Sequence, residues 1–350
     1  MSANTIQQIT LGRIDGQPVE AYRLSAGHTS IEVMTFGAIL TRLTRPDRNG
    51  QVDDIVLGYD DPADYVTKPG NAGAICGRHS NRLAQGRFSL DGQDFQLPRN
   101  NGEHHLHGGL PGFGKRFWTA HPDETGNSVV FRLHSPDGDQ GYPGALDASV
   151  RYGLKPDGTL EIHMQATSDR PTICNLVYHG YWNLAGHGSG SVEQQMLRIV
   201  ADTYTPVTPD KIPTGEIASV TDTPFDFTTA KPIGRDIAAA WPSGGYDHNL
   251  CHRDYDGTMH LSAEAFDPVS GRVMVLHSNQ PGVQLYTANH FSDAPTPGKG
   301  GALYGRYAGF ALETQNFPNA PNEPAFPSSV LCPGQIYDHR MEISFSTLDQ

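Results

Sequence analysis

Five short segments of the 350-residue chain place titratable or amide side chains next to glycines or aromatic residues. Polar groups in such surroundings are candidates for binding or catalysis, because burial tunes their pKa values and glycine permits close backbone approach. Each segment also has a purely structural interpretation. The segments are residues 77–82 (GRHSNR), 103–109 (EHHLHGG), 175–184 (NLVYHGYWNL), 246–249 (YDHN) and 310–318 (FALETQNFP).

His179 lies in the most apolar of these segments, directly after Tyr178 and three residues before Trp182. Burial there would favour a neutral imidazole, which makes His179 a tunable acid or base. A core histidine bonded to the backbone is the competing interpretation. Tyr178, Tyr181 and Trp182 are each expected in the core rather than in a platform for a ligand.

Two arginines and an amide, Arg78, Arg82 and Asn81, occur together in a segment without a carboxylate. Such a group can act as a hydrogen-bonding fork for a neutral polyol or an anion. Surface arginines that cap nearby carbonyls are the alternative.

His105 and His107 form an H-x-H pair, a spacing that raises the question of a metal site. A cupin-like site needs a Glu a few residues downstream, whereas the next one after His107 is Glu124. The sequence therefore predicts no metal here. Because Gly108 and Gly109 follow, we expect His107 to act as a hydrogen-bond donor or acceptor, with a satisfied loop histidine as the alternative.

The remaining two segments contribute carboxylates. Asp247 follows a Gly-Gly turn, where an Asp often only caps the local backbone. Glu313 lies on an alternating strand, on the face opposite Leu312, and a lone Glu at a strand end is usually solvated. Neither residue alone establishes a site.

Strands must position these side chains, because apolar and polar residues alternate with period two, as at residues 31–36 and 160–164. Turn residues divide residues 88–97 and 152–164 into two predicted β-hairpins. The helices expected are few and short, as at residues 228–241. Strands do not alternate with helices along the sequence, so a parallel sheet is not predicted.

The 39 glycines and 26 prolines supply turns for many strands. Composition does not shift along the chain to mark a linker. We therefore predict a single all-β domain over residues 1–350, built as a large antiparallel β-sandwich with few short helices.

The net charge of −13 opposes binding to nucleic acid, because a phosphate backbone demands a basic surface. Apolar stretches are too short to cross a membrane, and the N-terminal residues lack the pattern of a signal peptide. Four separated cysteines fit a reducing cytoplasm, so we expect a cytoplasmic protein without a nucleic-acid or membrane partner. They are Cys76, Cys174, Cys251 and Cys332.

In this order, the segments resemble the aldose 1-epimerase (galactose mutarotase) family, from about Phe36 to the C-terminal strand. The resemblance rests on several specific motifs. They are Gly77-Arg78 with Asn81-Arg82; Leu106-His107-Gly108-Gly109; Asn175, His179, Tyr181 and Asn183-Leu184; Asp247-His248; Pro281-Gly282-Val283-Gln284; Glu313-Thr314-Gln315-Asn316-Phe317-Pro318; and Pro333-Gly334 with Tyr337 and His339.

The resemblance implies a mutarotase-like supersandwich with the site in an open cleft. It implies an enzyme that interconverts the α and β anomers of a free aldose, with His179 as general acid and Glu313 as general base. It implies no cofactor and a monosaccharide as the partner, bound by a monomer or a homodimer. The residues implied to hold sugar hydroxyls are Asn81, Arg82, His107, Tyr181, Asp247 and Gln284.

The sequence departs from the family pattern at Val177, where Thr is common, at Tyr178, and at Trp182, where Phe is usual. The acid and base remain in place, so these changes bear on which aldose is preferred, a hexose or a pentose. Two alternatives remain open: a glycoside hydrolase that uses Asp247 and Glu313 as its carboxylate pair, and a non-catalytic sugar-binding module. Neither the oligomeric state nor a role for His104, His105 and His248 follows from the sequence.

Overall fold

A computed structural model describes residues 6–68, 70–291 and 295–348. The ends of the predicted domain, residues 1–5 and 349–350, lie outside the described residues. No helix in the described ranges is long and apolar enough to span a lipid bilayer.

Short strands make up most of the regular structure. The first fourteen strands are β1 (Gln7–Ile14), β2 (Gln17–Ala26), β3 (Thr29–Met34), β4 (Leu40–Pro46), β5 (Val52–Asp54), β6 (Ala74–Cys76), β7 (Arg82–Leu83), β8 (Arg87–Leu90), β9 (Gln93–Gln96), β10 (His105–Leu106), β11 (Thr119–Asp123), β12 (Ser128–Ser135), β13 (Leu146–Leu154) and β14 (Leu160–Ser168). The next fifteen are β15 (Thr172–Ile173), β16 (Val177–His179), β17 (Met196–Ile199), β18 (Ala201–Tyr204), β19 (Ala218–Ser219), β20 (Lys231–Pro232), β21 (Asp247–His252), β22 (His260–Phe266), β23 (Arg272–Ser278), β24 (Gly282–Tyr286), β25 (Thr296–Pro297), β26 (Leu303–Tyr304), β27 (Ala311–Gln315), β28 (Val330–Leu331) and β29 (Tyr337–Thr347).

Among the described residues, helical structure is confined to single turns. The α-helix is α1 (Asp64–Thr67), and the 3₁₀ turns are Ala84–Gly86, Phe113–Lys115, Asp139–Gly141, Ile237–Ala239, Lys299–Gly301 and Ala320–Asn322.

Three larger sheets organise the strands. A nine-stranded sheet has the order β11-β12-β13-β14-β29-β23-β22-β17-β20, and two five-stranded sheets have the orders β1-β2-β3-β4-β5 and β19-β18-β21-β24-β27. Neighbouring strands within these sheets pair antiparallel, as in β13 with β14 and β24 with β27. The remaining sheets each have two strands.

The apolar faces of the three larger sheets pack into one core. The core joins Ile31 of β3, Val150 of β13, Ile343 of β29 and Leu312 of β27, each at most 2% exposed. Because side chains alternate across a strand, one face of each sheet is buried in this way and the other is free for polar residues. The predicted all-β sandwich is confirmed.

Both predicted hairpins are confirmed. Strands β8 and β9 pair across Asp91-Gly92, where both residues have positive φ (51° and 77°), as a tight hairpin turn requires. Strands β13 and β14 pair across a turn that contains Gly158 at φ 85°.

The helix predicted over residues 228–241 is largely wrong. Only Ile237–Ala239 forms a 3₁₀ turn, and the preceding β20 pairs with β17, with Pro232 opposite Met196. Lys231 is 2% exposed, and its ammonium donates to Pro224 O and Asp236 Oδ2, both at 2.7 Å. These tertiary bonds outweigh the local helical pattern, which prolines already weaken.

Candidate active site

Strands β21, β24 and β27 form the floor of the site. Leu250, Val283 and Leu312 point into the core, so the intervening residues project from the opposite face. Register places Gln284 directly between Asn249 and Glu313 on that face. The predicted placement of Glu313 opposite Leu312 is therefore confirmed.

Glu313 is not solvated, contrary to the alternative that its strand-end position suggested. It is 2% exposed, and its Oε2 atom has no hydrogen-bond partner among the described residues. Its Oε1 atom lies 3.5 Å from His179 Nε2. Burial, and secondly the charge of Asp247, raise the pKa of Glu313 well above its ordinary value.

His179 reaches the same place from a different sheet. It ends β16, which pairs with β6 so that His179 lies opposite Ala74. Its ring centroid is 5.0 Å from that of Tyr181 and 5.2 Å from that of His107. Burial lowers the pKa of His179 to about 4.

The pKa shifts of His179 and Glu313 run in opposite directions. Burial disfavours the charged form of each group, the imidazolium of His179 and the carboxylate of Glu313. Between the lowered pKa of His179 and the raised pKa of Glu313, the pair carries one proton, which burial favours on Glu313.

His107 is held beside Asn81 by two short strands. Strand β10 pairs with β7, with Leu106 opposite Arg82. The His107 N–H then donates to Asn81 O (3.1 Å), and the Asn81 N–H donates to His107 Nδ1 (3.2 Å). Because Nδ1 accepts this bond and burial lowers the pKa of the ring, neutral His107 has its hydrogen on Nε2 and offers a donor.

Glycine is required next to His107. Gly108 has φ 81°, and a Cβ there would lie 1.7 Å from Gly77 O. The two glycine-containing motifs therefore pack directly against each other, which brings the segment of Asn81 and Arg82 to His107.

Asp247 is an ionised anchor within the site. Its Oδ1 accepts a 2.7 Å hydrogen bond from Gln284 Nε2, and its Oδ2 lies 3.7 Å from Arg82 Nη1 and 3.2 Å from Lys211 Nζ. Burial alone would raise the pKa of Asp247, but the nearby cations outweigh it and the net pKa is below the ordinary value.

The structure thus brings all eight predicted site residues into one connected region. Tyr181 contacts the ring of Tyr286 at 6.1 Å as well as that of His179, and is 1% exposed. Tyr178 and Trp182 belong to the core, as predicted.

Arg78 is a correction to the predicted two-arginine fork. It is 1% exposed, and its guanidinium donates to the carbonyls of Ser135, Pro136, Pro143 and Gly144 at 2.7–3.0 Å. The alternative interpretation was right that Arg78 caps carbonyls but wrong that it lies on the surface, and of the two arginines Arg82 is the one beside Asp247.

The other histidines near the motifs have structural partners. His105 Nδ1 is 2.7 Å from Pro98 O, and its Nε2 is 2.7 Å from Tyr142 OH. His104 accepts a hydrogen bond from a backbone amide at Gln85. His248 Nδ1 accepts a hydrogen bond from the backbone amide of Asp247.

The donor atoms of His107, His179 and Glu313 lie within 4.8 Å of one another, a grouping with the composition of a metal site. A metal ligand needs a free lone pair. In His107, Nδ1 already accepts the Asn81 amide and Nε2 carries the hydrogen. The donor set therefore suits a sugar hydroxyl better than a metal ion.

Sequence reasoning missed several polar residues on this face. Asn249 and Gln315 belong to the hydrogen-bond network of Gln284. Gln315 Nε2 donates to Asn249 Oδ1 (3.2 Å) and to Gln284 Oε1 (3.3 Å). Tyr286 lies opposite Asp247. Each is two positions from a predicted residue, so the strand period would have found them. Lys211 lies in a loop and gave no such signal.

A family model described as aldose 1-epimerase matches residues 20–344. The chain belongs to the aldose 1-epimerase family. It is 41% identical to galactose mutarotase of Bos taurus over 328 residues, which are 94% of each chain. It is 34% identical to aldose 1-epimerase of Escherichia coli (strain K12) over 338 residues, 95% of this chain and 96% of that one.

The fold of this family member agrees with solved structures. One of them is a crystal structure of an aldose epimerase homologue from C. elegans. The match covers 99% of this chain and 100% of that chain, with a TM-score of 0.86 and 30% identity. The resemblance inferred from the motifs is confirmed. As an aldose 1-epimerase family member, the protein is an isomerase that interconverts sugar anomers, rather than a non-catalytic sugar-binding module.

Proposed function

We propose that the protein is a mutarotase of free aldoses in which Glu313 is the general base and His179 the general acid. The observation that carries the proposal is the buried pair of a carboxylate and an imidazole, whose nearest atoms, Glu313 Oε1 and His179 Nε2, are 3.5 Å apart. Related proteins are named galactose mutarotase, so D-galactose is the first substrate to test.

The reaction needs one proton removed and one delivered. Glu313 takes the proton of the C1 hydroxyl while the bond between C1 and the ring oxygen breaks, and His179 Nε2–H protonates that ring oxygen. The product is an open-chain aldehyde. Each positioned proton transfer contributes about 10²–10⁴-fold in rate.

Ring closure reverses both roles. Rotation about the bond between C1 and C2 presents the other face of the aldehyde to the C5 hydroxyl. His179 takes back the proton of that hydroxyl as its oxygen attacks C1, and Glu313 returns its proton to the aldehyde oxygen. The pair ends in its starting state, so the reaction is balanced without another reactant.

The productive complex requires the shared proton on His179. The C1 hydroxyl donates to the Glu313 carboxylate and the ring oxygen accepts from the imidazolium, so both contacts favour the charged forms. The sugar contacts thus favour the proton on His179, whereas burial alone favours it on Glu313.

The remaining site residues hold the sugar while C1 turns. Asp247 accepts from hydroxyls, and His107 Nε2–H donates to them. Positioning of this kind keeps the acyclic intermediate bound between the two steps. The residues assigned to this task are Asn81, Arg82, His107, Tyr181, Asp247 and Gln284.

Polarimetry of freshly dissolved α-D-galactose, α-D-glucose, D-xylose and L-arabinose tests the proposal. We expect relaxation faster than the spontaneous rate for at least one of them, in proportion to protein concentration. Relaxation at the spontaneous rate for all four would reject it. Aryl β-galactoside, whose C1 oxygen carries no proton, must stay intact; its hydrolysis would instead favour the glycosidase that uses Asp247 and Glu313.

A further inference from the structure

We propose that Lys211 is a further specificity-determining residue, which donates a hydrogen bond to a sugar hydroxyl remote from C1. The inference rests on the proposed function, because it concerns recognition in the same cleft. It adds a residue from a loop to a site otherwise built from strands and their ends.

Lys211 occupies the solvent side of Asp247. Its Nζ lies 3.2 Å from Asp247 Oδ2, the same oxygen that faces Arg82 Nη1 at 3.7 Å. The Lys211 side chain is 29% exposed and that of Asp247 is 10% exposed, so Lys211 is the more solvent-accessible partner of this ion pair.

The ammonium retains donors for a ligand. It has three N–H groups, and its contact with Asp247 is its one polar contact among the described residues. A cavity of about 450 Å³ opens beside it, lined by Arg82, by residues 101–104 and by residues 209–211. Arg82 and Lys211, which both face Asp247 Oδ2, thus both line this cavity, so a sugar hydroxyl that reaches Arg82 there also comes near Lys211.

The loop holds Lys211 in this position. Its φ of 65° lies in the left-handed region, which a lysine disfavours. The conformation is secured by hydrogen bonds from the Lys211 N–H to Thr208 O (2.9 Å) and from the Thr208 N–H to Ile212 O (2.8 Å). A bridge between Val207 and Pro213 closes the loop. These contacts fix the backbone of Lys211 beside Asp247 before a ligand binds.

Strand order explains why the contacted hydroxyl is remote from C1. Glu313 on β27 and Asp247 on β21 are separated by β24. Neighbouring strands are about 4.8 Å apart, so the two backbones lie roughly 10 Å from each other. With C1 at Glu313, the Asp247 and Lys211 pair faces the far side of the sugar ring.

A cycle of variants and substrates separates a direct contact from an effect through Asp247. Lys211→Met and Lys211→Arg are compared with the unsubstituted protein on D-galactose and on its 2-, 3-, 4- and 6-deoxy analogues. Kinetics give kcat and KM. Calorimetry on the Glu313→Gln protein, with and without Lys211→Met, gives sugar Kd independently of turnover.

For D-galactose, Lys211→Met is expected to raise KM and Kd about tenfold and to change kcat less than twofold. This increase in KM and Kd should vanish for the one deoxy sugar that lacks the hydroxyl contacted by Lys211. Lys211→Arg should recover most of the affinity. The matched control is Lys155→Met, which removes a surface lysine paired with Glu342 at 2.9 Å and should leave KM unchanged.

An equal penalty for every deoxy sugar would mean that Lys211 acts only by holding Asp247, and it would overturn the proposed contact. Unchanged KM and Kd for D-galactose would overturn it as well. If the unsubstituted protein binds sugars without accelerating mutarotation, the proposed function fails, but the calorimetric cycle still decides the role of Lys211. Absence of sugar binding overturns both.

Discussion

His179 Nε2 and Glu313 Oε1 lie 3.5 Å apart in a site where the two side chains are only 5% and 3% exposed. One residue ends a strand paired with β6, and the other lies in the five-stranded sheet that contains β21. Their contact therefore exists only when these separate pieces of sheet are assembled. Burial drives their pKa values in opposite directions, and this opposition determines how activity and stability should respond to pH.

Glu313→Gln and His179→Asn should each lower kcat by about 10²–10⁴-fold, because each removes one positioned proton transfer. Sugar binding should persist, since the hydroxyl contacts remain. Polarimetry measures the first effect and calorimetry the second. His134→Asn, at an exposed pair with Asp147 on the nine-stranded sheet, serves as the control and should be fully active. Near-normal turnover in either site variant removes that residue from the mechanism.

The pH profile of kcat/KM should show a plateau with two limbs. Below a pH of about 4 both groups are protonated, because that is where the lowered pKa of His179 lies, and the base is lost. Above the raised pKa of Glu313 both groups are deprotonated, and the acid is lost. Initial rates corrected for spontaneous mutarotation measure the profile. An acid limb near 6.5, the ordinary pKa of histidine, would contradict the burial argument.

Glu313→Gln should also stabilise the fold, by a margin that grows with pH. A raised native pKa means that folding takes up a proton above the unfolded pKa of about 4.3. The wild-type protein then loses about 1.4 kcal/mol of stability per pH unit until the native pKa is reached. The neutral amide of the variant avoids this loss.

Urea unfolding of both proteins between pH 4 and 8 tests that margin. Glu264→Gln, at a half-exposed carboxylate 2.6 Å from Arg198, is the control for replacing a carboxylate by an amide outside the site. A constant difference between the wild-type protein and the Glu313→Gln variant across this range would mean that Glu313 is ionised in the native state.

The two arginines of the first motif should behave differently. Arg78→Met leaves several buried carbonyls without a donor and should lower the free energy of unfolding by at least about 3 kcal/mol. Arg82→Ala should cost much less stability but raise KM about tenfold, because it removes the proposed charged hydrogen bond to the sugar. Denaturation and steady-state kinetics on both variants separate these effects. A similar KM increase without destabilisation in Arg78→Met would restore Arg78 to the site.

Much of the fold could be predicted from the sequence because it depends on local pattern, whereas the candidate site residues are assigned by their resemblance to the family's motifs. Alternation predicts strands, and the position of Glu313 opposite Leu312 follows from the same period. The role of Arg78 could not be predicted in this way, because its acceptors are carbonyls of residues 135–144, which are distant in the sequence.

Two further features could not be predicted from the sequence because they depend on tertiary structure. Residues 228–241 carry a weak helical pattern, but the pairing of β20 with β17 and the burial of Lys231 prevail. Lys211 lies 36 positions before Asp247, and only the folded loop shows that they are neighbours. No periodicity connects a loop residue to a strand it does not adjoin.

The alternation on β21, β24 and β27 has a consequence for how this protein can change over evolutionary time. Core residues such as Leu312 and cleft residues such as Glu313 are neighbours in sequence but face different environments. Substitutions at Asn249 and Gln284 can therefore alter the polar face, where the proposed sugar contacts lie, while the apolar face of the sheet stays the same. The scaffold separates selection for a stable interior from selection for a new substrate.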